Sequence, residues 1–181
     1  MEAMGSVPRA KLCFIDGASL ENMARRRGVR HISAHALFTL LRYQVGHTRC
    51  FRQPPTITLK PELASNGNTI GEAFRRHGFD VAGPTRYNEH DDFFLENKIC
   101  GIQPGQAEEI VIVSSDHRFI VPLREKCRHG MRVVWVAADE IGEKGTPMIG
   151  KELRCCLESE FSFFNLTPKL GSLELRQRGL H

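Results

Sequence analysis

The sequence predicts an α/β domain with a central, mostly parallel sheet flanked by helices on both faces. Three observations carry this expectation. Apolar runs of strand length at Lys11 to Asp16, Thr56 to Lys60, Phe79 to Ala82, Glu109 to Val113 and Met131 to Ala137 alternate with segments of helical periodicity. The run Glu109 to Val113 is apolar and β-branched without polar alternation, as a strand covered on both faces requires. Two of the runs lead into an aspartate, Asp16 and Asp116, at the strand's carboxyl edge, where open α/β sheets place their chemistry.

The elements follow in order. Lys11 to Asp16 leads into a short helix over Ala18 to Arg27, with Gly17 letting the backbone turn. His35 to Val45 is a longer helix that gathers Leu37, Leu40 and Leu41 on one face. Pro54 and Pro55 precede the strand at Thr56. Thr69 to His77 is helical, and Gly78 is its natural C-cap before the strand at Phe79. Asp91 to Ile99 is a further helix, followed by the turn-rich Gly101 to Gly105. Phe119 to His129 forms a helix that closes at Gly130 and passes directly to the strand at Met131. Leu153, Leu157, Phe161 and Phe164 recur at helical spacing and predict a last helix on the sheet.

A length of 181 residues, 41% of them hydrophobic, suits one compact domain. Its expected span is 11–165, between a flexible N-terminal segment at 1–10 and a loosely held tail at 166–181. The net charge of +4, from 25 basic and 21 acidic residues, is a mild surplus that permits an anionic partner. The six cysteines include no C-x-x-C pair and no zinc-site spacing. With no apolar signal region and no run of membrane-spanning length, the expected setting is the reducing cytoplasm, away from membranes.

The acidic residues carry the functional expectation. Asp16 and Asp116 end strands that should be neighbours, and a third group lies in Glu89 to Glu96, where Asp92 and Glu96 share a helical face at i and i+4. Carboxylates crowded together repel one another unless a cation compensates. Hard oxygen ligands with room for water suit Mg²⁺ or Mn²⁺, which can activate water and shield a phosphodiester. The competing reading is local: Asp16 and Asp116 each precede a helix and can cap it, while Asp92 and Glu96 can form a solvated helix face.

The order Phe14-Ile15-Asp16-Gly17-Ala18-Ser19-Leu20, an acidic helix, then Val111 to Leu123 with Ser114-Ser115-Asp116-His117-Arg118-Phe119 and Pro122-Leu123 resembles the NYN domain. This is the PIN-like branch of metal-dependent ribonucleases that includes the LabA-like proteins. The resemblance covers about Lys11 to Phe164, and the Ser-Ser-Asp-x-x-Phe-x-x-Pro-Leu run is its more specific part. It implies a Rossmann-like PIN-type fold in which Asp16, Asp92 and Asp116 hold Mg²⁺ or Mn²⁺ and cut RNA. Glu96 or Asp91 would be an auxiliary ligand, and Ser19, Ser114 and Ser115 would place water or phosphate.

The chain also departs from the family pattern. Ser19 stands where Asn is usual, Ser115 where Gly is usual, Arg118 where the motif has its second Asp, and Lys98 where the central helix has another Asp. A guanidinium cannot ligate a metal, but Arg118 can pair with Asp116 or bind a phosphate. The alternative expectation is therefore a catalytically impaired module that binds RNA or a protein partner, a homodimer included.

For phosphate contacts the sequence offers Arg25, Arg26 and Arg27, read as a basic loop near the edge that carries Asp16. Arg75, Arg76 and Arg86 could extend the patch, and Tyr87 could stack on a base. Basic residues at a helix C-terminus are also expected without any ligand. Other chemistries find no support. His31 and His35 lack the adjoining Glu of a zincin, no G-x-S-x-G elbow surrounds Ser114 or Ser115, and no G-x-G-x-x-G or Walker loop follows a strand. Asp16 lacks the second Asp two residues on that haloacid-dehalogenase-type phosphatases use.

Overall fold

A computed structural model describes residues 10–45, 51–83, 91–139 and 149–174. Six strands, β1 (Lys11–Asp16), β2 (Thr56–Thr58), β3 (Asp80–Ala82), β4 (Glu109–Val113), β5 (Arg132–Ala137) and β6 (Ser162–Asn165), form one sheet. Their order is β3-β2-β1-β4-β5-β6, and every neighbouring pair is parallel. The chain thus winds outward from β1 in one direction and restarts at β4 in the other. The carboxyl ends of β1 and β4 flank the switch point, where a crevice opens in sheets of this order.

The helices are α1 (Gly17–Arg25), α2 (Ala34–Leu40, continued by a π-helical turn at Leu41–Val45), α3 (Pro61–Ala64), α4 (Thr69–Arg76), α5 (Asp91–Cys100), α6 (Ile120–Arg128) and α7 (Lys151–Ser159). A 3₁₀ turn, His117–Phe119, leads into α6. The first winding puts α1 against β1 and β2, and α2 and α4 beside it. The second puts α5, α6 and α7 on the opposite face, against β1, β5 and β6. The central strand β4 is apolar from Ile110 to Val113 because it is buried on both faces: Ile110, Val111 and Ile112 are fully inaccessible. Gly78 and Gly130, in the left-handed region with φ +86 and +82, stop α4 and α6 as their positions predict.

Two expectations are corrected at the C-terminus. The Leu153-to-Phe164 periodicity does not continue as one helix: α7 ends at Ser159, where Glu160 and Phe161 N–H groups both bond the Cys156 carbonyl. Residues Ser162–Asn165 then pair with β5 as the sixth strand. A spacing of four residues across Leu157 and Phe161 suits a helix, but the open edge of β5 offers hydrogen bonds that the chain takes instead. The tail expected to be loose from residue 166 is docked as far as residue 174. Leu166, Leu170 and Leu173 are fully buried, a 3₁₀ helix spans Thr167–Leu173, and Ser33 N–H bonds the Leu173 carbonyl at 2.7 Å. Its three leucines cover the α1 and α2 side of the sheet, a contact without local periodicity.

Candidate functional site

The site grows from the two strand ends that meet at the switch point. β1 and β4 run in register from Lys11↔Glu109 to Ile15↔Val113, so Asp16 and Ser114 leave the sheet side by side. Asp16 is only 2% exposed, and both of its carboxylate oxygens accept hydrogen bonds. Oδ1 takes the Ser19 N–H at 2.9 Å and so caps α1, and Oδ2 takes the Ser114 hydroxyl at 2.8 Å. The Ser114 Oγ in turn accepts the Asp116 N–H at 3.0 Å. One serine hydroxyl therefore ties the Asp16 carboxylate to the Asp116 backbone.

A second serine bridge runs parallel to the first. Ser19 Oγ accepts the Ser115 N–H at 2.7 Å and lies 2.6 Å from Ser115 Oγ. The Ser114 carbonyl is held from behind by the Trp135 indole N–H at 2.6 Å. Gly17 is required by proximity rather than by a turn: a Cβ there would stand 2.0 Å from the Thr58 carbonyl oxygen. That contact and the Gly17 N–H to Thr58 Oγ1 bond at 3.4 Å seat the start of α1 directly on the end of β2.

Asp116 is the more open carboxylate, its side chain 28% exposed. Its Oδ1 accepts the Arg118 N–H at 2.8 Å, which caps the 3₁₀ turn, and lies 3.7 Å from His117 Nδ1. Its Oδ2 is 4.0 Å from Arg118 Nε. Arg118 thus turns toward the carboxylate it follows. Capping, the local reading of both aspartates, is what their hydrogen bonds do; the Ser114 bridge adds to it a long-range link across the switch point.

The remaining acidic candidates lie on α5. Asp91 and Asp92 open α5, and their side chains lie outside the described residues. Glu96 is half-buried further along the same helix. Among the described residues no three His, Cys, Asp or Glu side chains stand close enough to hold one metal ion. The donor chemistry at the switch point, two carboxylates and three serine hydroxyls, is that of a hard cation.

The basic loop is displaced from its expected place. α1 starts at Asp16's edge and runs back along the sheet, so Arg25, Arg26 and Arg27 lie roughly 13 Å away, at the helix's other end. Arg25 pairs there with Glu21 at 2.6 Å, and Arg75 is held by Glu72 and the Ala64 carbonyl. Arg86 and Tyr87 lie outside the described residues. Trp135 and Thr58, which buttress the site, belong to no motif in the sequence. A lone Trp in an apolar strand and a Thr closing another were the only marks they left.

The arrangement defines a class: a doubly wound parallel α/β domain with a hydroxyl-linked pair of aspartates at its switch point. In overall structure the chain is similar to a crystallised Vibrio parahaemolyticus protein of unknown function, VPA0982, with a TM-score of 0.61 and 15% identity. The likeness covers 90% of this chain and 95% of that one, and it concerns the fold. No family profile matches the sequence, and no curated protein matches it. No helix among the described residues is long and apolar enough to cross a membrane.

Proposed function

We propose that the chain is a ribonuclease-type domain that acts on RNA phosphodiester bonds at the β1–β4 switch point with Mg²⁺ or Mn²⁺. The observation that carries this is the Ser114 hydroxyl, bonded to Asp16 and to the Asp116 backbone. A cap needs no such bridge; it links the Asp16 carboxylate to the backbone that carries Asp116. Asp16 and Asp116, with Asp92 and either Glu96 or Asp91 from α5, would hold the ion. The bound cation would supply an activated water and shield the phosphate charge.

The chain's own groups do the rest. Ser114 keeps Asp16 oriented, and the paired Ser19 and Ser115 hydroxyls offer a donor to a phosphate oxygen. Arg118, beside Asp116, supplies a positive charge that a phosphate can share. Incubating a labelled single-stranded RNA with the protein and Mn²⁺ should give cleavage that Asp116→Asn removes. Cleavage that persists in that variant and in excess chelator would sink the reading.

A second reading has its own observation. The Arg118 guanidinium partly neutralises the more open carboxylate, which lowers its attraction for a cation and favours a module that grips RNA without cutting it. It predicts salt-dependent RNA binding with no turnover in any divalent metal.

A further inference from the structure

On the α1 and α4 side of the sheet lies a cavity of about 290 Å³ that the switch-point chemistry does not use. Leu20 and Ala24 of α1, Ile57 of β2, Leu59 just beyond it, and Ala73 and Phe74 of α4 form its walls. The space opens to solvent, and a mostly apolar cleft of this size has room for a small ligand. Its mouth is also apolar in part, since Ile70 lines it while 41% exposed.

The polar groups are confined to the rim. Glu21 is committed to Arg25, at 2.6 Å. Arg30 and His31 line the opening from the loop between α1 and α2, and both are exposed. Among the described residues Arg30 has no acidic partner. A mostly apolar interior with a guanidinium at its rim complements one kind of ligand: an apolar chain ending in an anion.

We propose that this cavity binds a small amphipathic monocarboxylate, with its hydrocarbon chain between α1 and α4 and its carboxylate at Arg30. A water occupies about 30 Å³ in the liquid, so the space takes on the order of ten non-hydrogen atoms, the size of a medium-chain fatty acid such as octanoate. The site is independent of any reaction at Asp16 and Asp116, although Gly17, which follows Asp16, is among its lining residues.

The test is a titration of octanoate and of uncharged 1-octanol into methyl-labelled full-length protein at low ionic strength. Octanoate should give saturable shifts at Leu20, Ile57 and Ile70 and bind roughly three- to tenfold tighter than the alcohol, as expected of a partly exposed charge pair. Arg30→Gln, on the surface, should erase that difference while leaving the alcohol's affinity unchanged. Ala73→Leu, which fills the interior, should weaken both ligands at least fivefold. Absence of saturable shifts, equal affinity for acid and alcohol, or an undiminished preference in Arg30→Gln would each overturn the proposal.

Discussion

Asp16 shows how one side chain serves the local fold and the site together. Removing it as Asp16→Ala leaves the Ser19 N–H and the Ser114 hydroxyl without their buried acceptor, and should cost about 2–3 kcal/mol in denaturant unfolding. Asp16→Asn keeps one acceptor for the cap and should cost less than half of that. It is therefore the better variant for separating chemistry from stability. Gly17→Ala should destabilise by about 1–3 kcal/mol, because the added Cβ would meet backbone rather than a movable side chain. Both aspartates were readable from their strand-end positions. The Thr58 contact was not, since it depends on a residue 41 positions away.

Among the elements, α6 and α7 are joined by a bidentate pair, Arg124 to Glu160, with nitrogen–oxygen distances of 2.6 and 2.7 Å. The hydrogen bonds from Arg124 hold the Glu160 carboxyl below its usual range, against a smaller opposing effect of burial. With the folded value depressed, the pair's stabilisation is present above the unfolded glutamate's pKa, about 4.3, and is lost as pH falls through the folded value. The melting temperature of Glu160→Gln should therefore lie slightly below wild type at neutral pH, with the gap closing below about pH 4. The contribution is small because the glutamate is about a third exposed. The 166–174 segment is a larger structural support: Leu170→Ala or Leu173→Ala should each cost about 2–5 kcal/mol, measured by thermal or chemical denaturation. A periodicity scan passes over this segment because its leucines dock on α1 and α2 rather than along a helix face of their own.

At the scale of the whole molecule, burial sorts the thiols. Cys13 lies inside β1, where burial pushes its thiol far above the usual range, while Cys100 and Cys155 are exposed. Alkylation of native protein at pH 8 should label Cys100 and Cys155 and spare Cys13 until the protein is unfolded, as peptide mapping will show. The sequence by itself determined the strand and helix alternation, the buried character of β4 and the two aspartates at strand ends, because these follow from local composition and period. The tertiary structure alone decided the strand order that brings Asp16 and Ser114 together and the direction of α1 that carries Arg25, Arg26 and Arg27 away. It also decided the return of 166–174 and the cavity between α1 and α4. Each of these is set by which apolar faces cover one another across the chain, and no short window of residues encodes that choice.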